Sequence, residues 1–133
     1  MFTNAKVLLV TMTLLFSSGL HAEFSLTLTS LLERQQLGNL AVIEQQGANN
    51  SLLVEQLGYA NVALLHQAGY LNQLQLRQFG VGNEAIISQF GQSNQLDVLQ
   101  QGNYNRIQIE QFGGSGFSIQ QIGNHAELAI TQY

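Results

Sequence analysis

The sequence predicts an all-β protein, a cross-β, amyloid-forming β-solenoid wound in strand-turn-strand coils. Three observations predict it. The unit Asn-x-apolar-x-apolar-x-Gln-x-Gly recurs every eleven residues along most of the chain. Within each unit, apolar and polar positions alternate with period two, the signature of a strand with one buried face. The first apolar position alternates small and large, as Ala41, Leu52, Ala63, Leu74, Ala85, Leu96. The full period is therefore twenty-two residues, two strands per coil, with small side chains on one sheet facing large ones on the other.

The chain has 133 residues, with no Cys, Pro or Trp and a formal net charge of −4. That length suffices for one domain and a modest core. Without Cys there is no disulfide framework and no thiolate metal site. The Lys and Arg residues are Lys6, Arg34, Arg77 and Arg106, too few for a nucleic-acid footprint. Charged residues are 9% of the chain, and its polarity is carried by Asn and Gln. Such a bias also suits a disordered prion-like tract, but disorder needs no register, and here the register is strict.

Residues 1–22 read as a secretory signal peptide. Lys6 supplies the positive start, Val7 to Phe16 the apolar run, and Leu20-His21-Ala22 a small-residue exit, with cleavage expected after Ala22. The run is too short to span a bilayer. Residues 23–38 form a border segment. Phe24, Leu26 and Leu28 alternate with Ser25, Thr27 and Thr29 as a short strand. Ser30, Leu32, Arg34 and Gln36 resemble a worn repeat, yet Arg34 would fall at a core position. A degenerate cap and a flexible recognition arm both remain open for this segment.

Residues 39–133 carry the array, as seven copies at even spacing and two displaced ones. The first seven start at Asn39, Asn50, Asn61, Asn72, Asn83, Asn94 and Asn105 and close on Gln45, Gln56, Gln67, Gln78, Gln89, Gln100 and Gln111. After Gly113 the loop is one residue shorter, giving Ser115-x-Phe117-x-Ile119-x-Gln121 and then Ala126-x-Leu128-x-Ile130-x-Gln132. Ile107, Phe117 and Leu128 break the alternation of sizes. Stacked coils at about 4.8 Å give a body about 22 Å long.

The Asn and Gln side chains are expected to point inward near the corners and to stack one coil apart as amide ladders. Each amide then donates to one neighbour and accepts from the other. An unpaired buried amide would cost about 1–3 kcal/mol. Gly follows two residues after each Gln but the last: Gly47, Gly58, Gly69, Gly80, Gly91, Gly102, Gly113 and Gly123. These are the expected corner positions, where tight turns need positive φ. The terminal copy is as strand-like as the others and carries no cap. Its open edge invites a further copy and, by repetition, a cross-β fibre.

Outward positions Leu40, Val42, Val62, Leu64 and Ile86 all fall on one sheet and form an apolar interaction patch. It is expected to meet the border segment, a second protofilament, an accessory protein or the membrane surface. Phe79, Phe90 and Phe112 each precede a corner Gly, and Phe90 and Phe112 lie one coil apart, in reach for stacking. Nothing points to catalysis, a cofactor or a bound metal. His66 and His125 are isolated, the carboxylates are scattered, and calcium-binding repeats would need recurrent Asp. A monomeric secreted β-solenoid binder is the rival from another class, although the flat outward Thr array of an ice-binding face is missing. Tyr59 and Tyr70 are exposed aromatic positions suited to carbohydrate contact.

The pattern Gln-x-Gly-x-x-Asn-x-apolar-x-apolar-x-Gln, repeated after a signal peptide, resembles the curlin repeat of bacterial curli subunits. The resemblance covers Asn39 to Tyr133. It implies export through the periplasm and across the outer membrane by a dedicated channel. It also implies assembly with itself and other curlin subunits into extracellular fimbriae for biofilm matrix and cell adhesion. The implied partners are the curli export and anchoring proteins at the outer membrane. The family has a major fibre subunit and a minor, surface-held nucleator. This chain lacks the Gly-rich N-terminal segment usual in the major type. Its Asn39-Leu40-Ala41-Val42-Ile43 and Gly47-Ala48-Asn49-Asn50-Ser51 are more similar to the nucleator. Its Gln132-Tyr133 ending, without the basic last repeat usual in the nucleator, is more similar to the major subunit.

Overall fold

Each Asn-to-Gln repeat becomes one strand because its apolar side chains all fall on the same face of an extended chain. The computed structural model describes residues 7–13 and 38–133. The strands are β1 (Val7–Thr13), β2 (Asn39–Ala48), β3 (Ser51–Tyr59), β4 (Asn61–Tyr70), β5 (Gln73–Val81), β6 (Glu84–Gln92), β7 (Gln95–Asn103), β8 (Arg106–Phe112), β9 (Gly116–Asn124) and β10 (Glu127–Gln132).

Successive strands from β2 onward alternate between two parallel sheets. One runs β1-β2-β4-β6-β8-β10 and the other β3-β5-β7-β9. Each pair of strands is one full coil apart, so like residues stand over like: Asn39 on Asn61, Gln45 on Gln67, Gly47 on Gly69. After the shortened loop the offset falls by one but the match survives, with Gln100 on Gln121 and Gly102 on Gly123. The chain is thus a β-solenoid of about four turns, as its twenty-two-residue period predicts.

The core lies between the sheets. Ala41, Ala63 and Ala85 stand on the larger sheet, and Leu74 and Leu96 on the smaller, all buried. Small opposes large, and the space between the sheets is filled by interdigitation. Burying Leu76 or Ile87, both at 0% exposure, stabilises by about 1.5–3 kcal/mol each. Leu52 and Val54 at one end, and Phe117, Ile119 and Leu128 at the other, are only partly buried. Their coils have a neighbour on one side alone.

The backbone of β1 pairs in parallel with β2, from Val7 opposite Asn39 to Thr13 opposite Gln45. This strand falls within the apolar run read above as a targeting segment. The expected cut after Ala22 and residues 23–37 of the border segment lie outside the described residues.

Candidate functional site: amide ladders and open coil edges

The Gln residues that close each strand form two continuous ladders between the sheets. On the larger sheet Gln45 Nε2 donates to Gln67 Oε1 at 2.7 Å, Gln67 to Gln89 at 2.7 Å, Gln89 to Gln111 at 2.9 Å and Gln111 to Gln132 at 3.3 Å. On the smaller sheet Gln56 donates to Gln78, Gln78 to Gln100 and Gln100 to Gln121, at 2.7 to 2.9 Å. The second amide hydrogen goes to a backbone carbonyl of the opposite strand, as from Gln78 to Val62 O at 3.1 Å. Gln67, Gln78, Gln89, Gln100 and Gln111 are wholly buried. With both hydrogens and the oxygen engaged, their desolvation is offset.

Both Gln ladders run in the same direction. Every Nε2 points toward the C-terminal end and every Oε1 toward the N-terminal end. The two ends therefore differ. Gln56 Oε1 at the N-terminal end is buried and has no partner among the described residues. At the other end Gln121 Nε2 keeps two backbone acceptors, Arg106 O and Ala126 O, with no Gln beyond it.

The Asn residues run the opposite way and reach further. Asn61 Nδ2 donates back to Asn39 Oδ1 at 3.0 Å, Asn83 to Asn61 at 3.1 Å, and Asn94 to Asn72 at 2.9 Å. The same oxygens accept backbone N–H groups, as Asn39 Oδ1 does from Asn61 N at 3.0 Å. Nδ2 also bonds the carbonyl of a corner glycine one coil on: Asn39 with Gly58, Asn50 with Gly69, Asn61 with Gly80, Asn72 with Gly91, Asn83 with Gly102 and Asn105 with Gly123, at 2.7 to 3.2 Å. Each of these six ties a corner to the next coil's corner, whereas Asn94 Nδ2 donates to Asn72 Oδ1 and Phe90 O. Asn39, Asn61, Asn72, Asn83, Asn94 and Asn105 are buried, and Asn50 is half-buried.

The glycines make this possible by their backbone and by their lack of a side chain. Gly69 has φ +125°, and a Cβ there would lie 1.8 Å from the carbonyl oxygen of Gly91. Sequence reasoning found the glycines but not their carbonyls as the Asn acceptors. The nineteen-residue offset of that bond is one coil of twenty-two less the three residues from Gly to Asn, so the spacing stood in the sequence, but nothing there marked the carbonyl as the acceptor. It also missed the residue just before each Asn, or before the Ala126 that takes its place in the last copy. Asn49, Ala60, Leu71, Ser93, Tyr104 and His125 all have φ of 56–59°, and Gly82 stands in the same place at 66°. These seven share a backbone conformation and no side-chain chemistry, which left only Gly82 and Asn49 as faint signals.

The Asn ladders stop one coil early. Ser115 and Ala126 stand where Asn is expected, and the preceding loop is short. Asn94 Oδ1 and Ser115 Oγ are consequently buried without a partner among the described residues. On the larger sheet Asn105 Oδ1 is rescued by Ala126 N–H at 3.1 Å. Only Gln ladders reach the C-terminal edge.

Outside the coil, His66, Phe90, Phe112 and Tyr133 form a column of rings. Phe90 and Phe112 stack with centroids 5.3 Å apart, and Phe112 and Tyr133 at 5.5 Å. Tyr133 at its foot is 90% exposed. Leu40 and Val42 of the outward apolar set are buried, whereas Val62, Leu64 and Ile86 are half-buried. Tyr59 and Tyr70 are exposed. Glu44 and Glu55 stand on β2 and β3, on opposite sheets. Glu44 instead lies 3.4 Å from His66. Arg77 with Asp97 and Arg106 with Glu84 are surface pairs that contribute little to stability.

Among the described residues no three His, Cys, Asp or Glu side chains are grouped to hold a metal ion. What the arrangement offers is continuation: parallel strand edges, stacked amides and a ring column, each ready to accept another coil. The family model described as Curlin associated repeat matches three overlapping stretches, residues 47–80, 72–102 and 82–113. These lie within the ladder-bearing coils. No curated protein and no solved structure matches the chain.

Proposed function

Because the chain belongs to the curlin-repeat family, a family of structural fibre subunits rather than enzymes, we propose that it is the minor subunit of an extracellular curli-type amyloid, nucleating or anchoring fibre growth. Self-assembly follows from the family, and its physical basis is the repeat itself. A coil whose amides and backbone are satisfied by an identical coil above and below is satisfied equally well by a second molecule.

The observation that favours the minor role is the outward apolar stretch on the N-terminal coils. Val62, Leu64 and Ile86 are half-buried on one sheet, where a subunit that forms only fibre mass needs polar residues. A surface-held subunit uses such a patch against an anchoring protein at the outer membrane. Residues 1–22 serve as the leader for export through the periplasm, and the fibre supports biofilm matrix and adhesion. The major-subunit reading rests on the Gln132-Tyr133 ending. A monomeric secreted binder is the reading that self-association would eliminate.

Cross-seeding tests the role. Substoichiometric preformed chain should shorten the lag of a partner curlin, and the cell should hold the chain at its surface. If the chain itself forms the bulk of the fibre mass, the major role is correct. If it stays monomeric for days and binds no amyloid dye, the fibre reading fails.

A further inference from the structure

We infer that successive copies in the fibre join head to tail with a half-turn about the fibre axis, so that the larger sheet of one copy continues into the smaller sheet of the next. This rests on the fibre-subunit reading and on loss of Val7–Thr13 with the leader, since β1 occupies the edge of β2 in the intact chain.

The strand count comes first. Among the described residues that follow the leader, strands β2 to β10 place five on one sheet and four on the other. Winding onward from β10, the next strand falls on the smaller sheet, against β9. If β2 of the next copy takes that place, its β3 lies against β10 and both sheets run on without a gap. Without the half-turn, β2 of the next copy lies against β10. The strand spacing at β9 then doubles to about 9.6 Å, a missing strand at every joint.

Side-chain size points the same way. On the larger sheet the first core position reads Ala41, Ala63, Ala85, Ile107, Leu128. The sheet abandons small residues as it nears the joint. Across a half-turn it continues into Leu52, Leu74 and Leu96 of the next copy, and Ala41 of that copy faces the large Leu128 and Leu52. In the last coil Ile107, Phe117 and Leu128 are all large, and from Ala41 of the next copy onward small again opposes large. The break in the size alternation is thus the change of phase that exchanging sheets requires.

The polar and aromatic ends agree. Register places Gln132, whose Oε1 accepts from Gln111, over Gln56 of the next copy, so that its Nε2 faces the Gln56 Oε1 left without a partner among the described residues. Gln121 Nε2, already on Arg106 O and Ala126 O, meets Gln45 Oε1 as a third acceptor, the arrangement Gln78 has with Val62 O, Asn83 O and Gln100 Oε1. Tyr133, 90% exposed, lands on Leu57, 54% exposed, and the ring column continues into Phe79. In the unrotated joint Tyr133 meets Gln46, and Gln56 stays unpaired across the gap.

Fibres harvested from cells exporting the full-length gene product decide this by helical reconstruction. The half-turn joint gives a rise of about 22 Å per subunit with rotation near 180° plus the twist of the coils. A rise of about 24 Å with no half-turn would show a tenth strand in each subunit and overturn the inference, leaving the fibre reading intact. Cysteine pairs give a second readout in a chain that has none of its own. Thr131→Cys with Glu55→Cys should cross-link between copies under oxidation, and Thr131→Cys with Glu44→Cys should not. The reverse pattern refutes the half-turn. Absence of any fibre refutes the fibre reading and this joint together.

Discussion

Gly69 and Gly91 stack so closely that a Cβ on Gly69 would lie 1.8 Å from the Gly91 carbonyl oxygen. That oxygen is the acceptor for Asn72 Nδ2 at 3.1 Å. The corner therefore has no room for a side chain, because the Asn ladder and the glycine column share the same carbonyl.

Gly69→Ala should separate these coils and abolish the cooperative strand signal in circular dichroism. Gly123→Ala is the comparison. No atom stands within 4 Å of its added Cβ, and only φ of +148° opposes it. It should cost about 1–3 kcal/mol, read as a lower denaturant midpoint. Equal effects from the two substitutions would show that φ, not stacking, demands glycine.

Gln89→Leu keeps side-chain volume and removes one rung. Gln67 Nε2, Gln111 Oε1 and Gln73 O each lose a partner inside the coil. At about 1–3 kcal/mol for each orphaned group, the loss should be several kcal/mol. Gln101→Leu, at an exposed position, should leave the denaturation midpoint nearly unchanged.

Leu71 holds φ of 59° with its side chain 54% exposed. Leu71→Gly should stabilise the fold by about 1 kcal/mol, since the left-handed strain of an L-residue is released and little packing is lost. Gly82→Ala at the equivalent corner should destabilise it. The new Cβ would lie 2.7 Å from the Tyr104 ring, which stacks in turn on His125. Thermal melting of the two variants measures both signs.

Val62→Glu combined with Leu64→Glu places charge on the outward side of β4 and leaves the inward Ala63 and Leu65 untouched. Retention at the cell surface or lateral association of fibres should weaken, with strand content preserved. Loss of strand content would assign both residues to the core instead.

Much of this was legible in the chain because stacking repeats every interaction. Phe90 and Phe112, one coil apart in sequence, stack in space. Ala63 and Leu74 declare their sheets by size alone. Leu71 was not legible, because its conformation is imposed by the corner on whatever residue stands there. The early end of the Asn ladder at Asn94 was visible as a shortened loop after Gly113. Its consequence, two buried oxygens without partners, was not.

The sequence by itself determined the period, the strands of the repeat array from β2 onward, which residues of each repeat face inward and which of those strands share a sheet. All of these follow from spacing, because in a parallel in-register stack distance along the chain is converted directly into position. Only the tertiary structure decided the direction of the amide ladders and the identity of the Asn acceptors at the corner carbonyls. It alone decided which amide, Gln56, is left open at the end. An amide is the same residue whichever way it points. Its direction is set by the coils on either side, and at an edge one of those coils is missing.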